Sequence, residues 1–170
     1  YYAADEVWER DEGGYQASQG SRPQTLAFGR SDSPAGLAAW IVEKFRAWSD
    51  CGGDVLSVFP MEVLLDNLMV YWISGSIASS VRYYYESQRL RPPMRASDFV
   101  KVPTSVAAWP HDLGVPPREL AARLYNVTRY TRFPRGGHFP AWEAPELYAE
   151  DLRTFARETL AASSPGHARL

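Results

Sequence analysis

Apolar side chains recur at intervals of four and three from Leu37 through Ile41 and Phe45 to Trp48, with Glu43, Lys44 and Arg46 off the stripe. That spacing predicts an amphipathic helix. Ser33-Pro34 marks its start, with a hydroxyl placed to cap and a proline at the first helical position, where no N–H is needed. A second helical run is predicted from about Pro60 to Glu86, with Leu64, Leu65, Leu68 and Trp72 on one side and a bend near Gly75. Between the two, Ser49-Asp50-Cys51-Gly52-Gly53-Asp54 reads as a linker. Asp54 does not fit a nucleophile elbow, which needs a strand before it, a helix after it and usually a glycine two positions on, where this chain has Leu56. Upstream, residues 3 to 12 are acidic and helix-prone. Gly13-Gly14 breaks that pattern, and Tyr15 to Thr25 is polar with no apolar period.

Arg91-Pro92-Pro93 is predicted to stop the second helical run, and the pattern then changes. Lys101 to Trp109 is β-branched and apolar in the manner of a buried strand and ends at Pro110-His111-Asp112. Pro116-Pro117-Arg118 opens a helix to about Arg123, and Tyr125 to Phe133 alternates as a second strand that leads into Pro134-Arg135-Gly136-Gly137-His138. A last amphipathic helix starts near Pro145 and carries Leu147, Leu152, Phe155 and Leu160, and the tail from Ser163 is expected to fray. Strand, helix, strand, helix is the order of a parallel βαβ unit, in which functional groups gather at the carboxyl ends of the strands. Asp112 and His138 would then lie side by side. The fold class expected is therefore α/β, with a mostly helical region ahead of the strands.

Composition narrows the function. With 45% hydrophobic and 14% aromatic residues in 170, there is ample material for one domain or for a lid with part of a core. A net charge of −2 with Lys and Arg scattered among acids leaves no basic stripe, so nucleic acid is not an expected partner. The single Cys51 excludes an intrachain disulfide and fits a reducing, cytoplasmic setting. Three scattered histidines without ligand spacing predict no metal site, and no cofactor motif is present. No apolar run approaches the roughly 20 residues that cross a bilayer, and no signal peptide opens the chain. The start at Tyr1-Tyr2-Ala3-Ala4, directly into helix-like sequence, reads as the continuation of something longer.

A histidine in a glycine turn reads equally well as a surface residue, but an acid beside it would orient the ring for proton transfer. Three tyrosines in a row, Tyr83, Tyr84 and Tyr85, point in three directions on a helix, so one or two at most share a pocket.

These residues resemble a known family. The acid after one strand and the base after the next, with Gly-Gly-His-Phe leading to Glu143 and Pro145, is similar to the C-terminal end of an α/β-hydrolase. Tyr15 through Arg22-Pro23-Gln24-Thr25, then Asp32 to Phe45, Tyr71-Trp72 and Arg82-Tyr83-Tyr84-Tyr85-Glu86, resembles the lid of epoxide hydrolases of the microsomal and juvenile-hormone type. The resemblance implies a lid over residues 1 to 97 and the C-terminal part of the hydrolase core over residues 98 to 170. It implies His138 as the base that activates water, Asp112 as its acid, and Tyr15 and Tyr84 as the tyrosines that hydrogen-bond the epoxide oxygen. Tyr83 is the fallback for the second tyrosine. The family's nucleophilic aspartate and oxyanion loop belong to an N-terminal half that these residues do not contain. The expected partners are thus a small epoxide, water and that N-terminal half, in the same or a second chain, with a homodimer left open. Without it, the first strand is expected to present an open edge and the chain to be inactive alone. The competing readings are another α/β-hydrolase acting on esters or haloalkanes, which the paired tyrosines argue against, and a non-catalytic module that binds a partner.

Overall fold

The computed structural model describes residues 2–90 and 95–163. The predicted helix stop at Arg91-Pro92-Pro93 and the tail beyond Ser163 lie outside the described residues. The chain forms two compact units, Tyr1–Pro93 and Met94–Leu170.

The first unit is helical: α1 (Tyr2–Glu12), α2 (Gly14–Ser21), α3 (Pro23–Asp32), α4 (Pro34–Trp48), α5 (Met61–Ser74) and α6 (Ile77–Leu90). α4 starts as its sequence dictates, with the Gly36 N–H donating to Ser33 Oγ at 3.1 Å and Pro34 in the first turn. Its Leu37 is buried with Ala27 of α3, Leu68 of α5 and Ile77 and Val81 of α6, and Ile41 and Val42 close over them. Burying a leucine or valine fully contributes about 1.5–3 kcal/mol, so this small cluster is what joins four helices. The linker holds as a linker, because Asp54 follows a helix and its carboxylate accepts from the Leu56 N–H at 3.1 Å to cap a single 3-10 turn.

Three features of this unit differ from the sequence pattern. Gly75 does not bend one helix but ends it, with φ of 63° and its N–H donating to the carbonyls of Tyr71 and Trp72, a left-handed cap that only glycine adopts cheaply. Of the four residues expected on one side of α5, Leu64 and Leu68 are buried whereas Leu65 and Trp72 are exposed. The segment without an apolar period is helical as α2 and α3. α2 is held by polar and backbone contacts that no hydrophobic count detects: Gln19 and Gly20 are buried, the Gln88 side chain fills the space a side chain at Gly20 would take, and Arg89 Nη1 donates to the Gly20 carbonyl at 3.0 Å.

The second unit contains β1 (Val100–Ala108), α7 (Arg118–Ala121), β2 (Tyr125–Arg132), α8 (Pro140–Glu143) and α9 (Pro145–Ser163). β1 and β2 run parallel, from Val100 opposite Tyr125 to Ala108 opposite Arg132. The register slips between Val100 and Pro103, where proline has no N–H to give the ladder. The strands pair only with each other among the described residues, so each keeps an open side. The crossover helix is a single turn, shorter than the run to Arg123 that its proline start suggested. α8 was not visible in the sequence pattern.

α9 packs along β1, and its predicted apolar residues do not share one face: Leu147 and Phe155 are partly buried. Leu152 and Leu160 are exposed, since each lies about 140° around the helix from Leu147. The buried position belongs to Asp151, whose Oδ1 accepts from Arg129 Nε at 2.9 Å and Thr131 Oγ1 at 2.8 Å, both on β2. An ion pair occupies the place where periodicity expects a leucine.

Candidate active site

β1 delivers Trp109 to Asp112, and β2 delivers Phe133 to His138. The ladder continues past the strands, with His111 opposite Gly137 and the His111 N–H donating to the Gly136 carbonyl at 3.1 Å. Buried Trp109 stacks on Phe133 with centroids 3.8 Å apart, and Gly136 lies against the indole. Its φ of +103° and a would-be Cβ only 2.9 Å from Trp109 Cε3 leave room for glycine alone. Gly136→Ala is therefore expected to cost about 1–3 kcal/mol of stability, measured by chemical denaturation of the full-length protein against the unchanged chain.

This turn sets His138 against Asp112, with Nδ1 to Oδ1 at 2.7 Å. The same Oδ1 accepts from the Leu113 N–H at 2.7 Å, which fixes the carboxylate from its own loop. An ionised carboxylate only accepts, so Nδ1 carries the proton and a neutral imidazole presents Nε2 as an acceptor. His138 is half-exposed and Asp112 half-buried, so the ring is held on one side and reachable on the other. Phe139 meets the imidazole edge-on at 5.2 Å.

In the helical unit, Tyr15 of α2 and Tyr84 of α6 meet with ring centroids 5.7 Å apart at 80°. Trp48 and Trp8 flank Tyr15 at 5.1 and 6.5 Å. Lys44 Nζ lies 5.3 Å from the Tyr15 ring and pairs with Glu12 at 3.2 Å. The three adjacent tyrosines diverge as helix geometry requires: Tyr83 is exposed, Tyr84 faces Tyr15, and Tyr85 lies beneath the Arg89 guanidinium. Burial raises the Tyr84 phenol above its ordinary range; the charge of Tyr15 and a hydrogen bond with it push the same way, Gln19 opposes, and Tyr71 adds a lesser rise. Two glutamines here escaped the sequence reading. Gln16 Nε2 donates to the Tyr15 hydroxyl at 3.2 Å, and Gln19 is buried and works against the rise at the Tyr84 phenol. Gln19 stands four residues beyond Tyr15 on the same helix face, which was the available signal.

Among the described residues no group of His, Cys, Asp and Glu could hold a metal ion, and no helix is long and apolar enough to cross a membrane.

No protein-family model matches the chain. Individual proteins do. Epoxide hydrolase 1 of Oryctolagus cuniculus is 39% identical over 153 residues, 85% of this chain and 34% of that protein. Juvenile hormone epoxide hydrolase 2 of Ctenocephalides felis is 40% identical over 151 residues, 84% of this chain and 32% of that protein. The crystal structure of juvenile hormone epoxide hydrolase from Bombyx mori superposes with a TM-score of 0.88 at 31% identity, over 96% of this chain and 41% of that one. The chain is a homologue of epoxide hydrolases. Its helices and parallel strand pair match the α/β-hydrolase fold of these epoxide hydrolases, including that of Aspergillus niger with a TM-score of 0.78 at 28% identity, over 92% of this chain and 38% of that one. It spans about a third of the length of the curated relatives it matches, and corresponds to a C-terminal part of these epoxide hydrolases.

Proposed function

We propose that the protein hydrolyses an epoxide to a vicinal diol through a covalent alkyl-enzyme ester. In this reading residues 1 to 97 form the lid, residues 98 to 170 complete the core, and the nucleophilic aspartate belongs to the N-terminal half of the enzyme. The observation that carries the reading is the contact of the Tyr15 and Tyr84 rings, because an Asp–His pair serves any α/β-hydrolase whereas two adjacent phenols suit a ring oxygen.

The chemistry requires each group. An epoxide is strained, but its leaving group is an alkoxide, and phenols with an ordinary pKa of about 10 remain protonated at neutral pH while being able to donate to it. The aspartate oxygen bonds to a ring carbon, the carbon–oxygen bond breaks, and the ring oxygen takes the electron pair and a phenolic proton. His138 Nε2 then removes a proton from water, whose oxygen attacks the ester carbonyl; the tetrahedral intermediate expels the diol oxygen, which takes the imidazolium proton, and the carboxylic acid left behind returns its proton to the phenolate. Asp112 holds the imidazole in the tautomer that makes Nε2 basic and stabilises the imidazolium that forms.

Oxygen labelling tests the ester. A single turnover of an aryl epoxide by excess full-length enzyme in ¹⁸O-water should give unlabelled diol, because the incoming oxygen is the enzyme's own carboxylate oxygen. Labelled diol from the first turnover would mean direct attack by water and would overturn the two-step reading.

A further inference from the structure

The segment that carries His138 is tied at both ends to one residue, Glu143. Glu143 Oε1 accepts from the Phe139 N–H at 2.8 Å, and the Glu143 N–H returns to the Phe139 carbonyl at 3.0 Å. From the other side of the histidine, Arg135 Nη1 donates to the Glu143 carbonyl at 2.8 Å. Residues 135 to 143 thus form a closed loop with His138 inside it, and the Gly136 carbonyl joins that loop to the one bearing Asp112. α8 is only one turn long, too short to persist through its own backbone bonds, so its side-chain tie supplies what length does not.

We propose that Glu143 is a positioning residue for the base: by holding the peptide N–H next to His138 it fixes where the imidazole hangs, and so keeps Nδ1 on Asp112. A bond from an amide to an ionised carboxylate is about twice as strong as one between neutral groups, and it acts one residue from the ring. Glu143 touches neither substrate nor water in this scheme. Its effect passes through the geometry of His138, and an imidazole misplaced by about 1 Å costs on the order of 10²-fold in rate. This rests on the proposed role of His138, but the loop geometry is independent of it.

The test compares Glu143→Ala with Glu143→Gln in the full-length protein. Gln keeps an oxygen that can accept from Phe139; Ala does not. With the histidines ¹⁵N-labelled, the downfield proton shared by His138 Nδ1 and Asp112 should be present in the unchanged protein, retained in the Gln variant and lost in the Ala variant. In parallel, the Ala variant should form the alkyl ester at the normal rate but hydrolyse it about 10- to 10²-fold more slowly, with the Gln variant largely rescued. An unchanged resonance and unchanged ester hydrolysis in the Ala variant would overturn the proposal, as would a Gln variant that behaves like Ala while still folded. If no epoxide forms an ester with any variant, the resonance still decides the role of Glu143, and only the functional reading fails.

Discussion

Replacing His138 by Gln in the full-length enzyme should slow turnover on the order of 10³-fold, the scale of a lost general base, while the protein fills with covalent ester. The two effects have one cause. Ring opening uses the carboxylate and the phenols and has no need of the imidazole, so alkylation proceeds; ester hydrolysis needs a water deprotonated by Nε2, so it stalls. Intact-mass spectrometry after incubation with an epoxide should show the protein heavier by one substrate. A variant that loses turnover without gaining that mass would place His138 in the first step, or outside the site. The glutamine occupies nearly the volume of the imidazole, so the turn at Gly136 and the stack of Trp109 on Phe133 should persist, and an unchanged melting temperature checks this.

Tyr15→Phe and Tyr84→Phe should each slow ring opening by about 10²-fold, the usual cost of removing one preorganised donor to a developing oxyanion. Pre-steady-state quenching of the alkylation phase measures this directly. The substitutions keep both rings, so the contacts of Tyr15 with Trp48 and Trp8 remain and only the hydroxyl is lost. The steps separate cleanly: a phenol variant should alkylate slowly and release diol at the normal rate, the reverse of His138→Gln. Burial holds Tyr84 above the ordinary phenol range, so as pH rises it keeps its proton longer than a free phenol does. Its contribution to ring opening should accordingly persist through neutral pH and decline only beyond about pH 10. Alkylation rates unchanged in both variants would remove the phenols from the chemistry.

What the sequence disclosed depended on how each element is held. α4 was legible because it is held by an apolar stripe and announced by Ser33-Pro34, and both are local signals. The adjacency of Asp112 and His138 was legible for a topological reason, since parallel strands put their carboxyl ends together. α2 was not, because it is held by Gln19, Gly20 and the side chains of Gln88 and Arg89, sixty or more residues away, and none of these is a hydrophobic signal. α9 misled for the opposite reason. Its leucines lie on different faces, Leu147 partly buried and Leu152 and Leu160 exposed, and the buried position is Asp151, paired with Arg129. α8 depends on a carboxylate reaching back to the Phe139 N–H, a contact that composition cannot encode.

The setting of Tyr15 has a practical side. Its ring lies within 6.5 Å of two indoles, Trp8 and Trp48, so a molecule that arrives at its hydroxyl alters the polarity felt by two native fluorophores. The protein therefore carries its own optical reporter at this phenol, and occupancy can be followed by tryptophan emission in unlabelled material, even with substrates whose turnover leaves no chromophore.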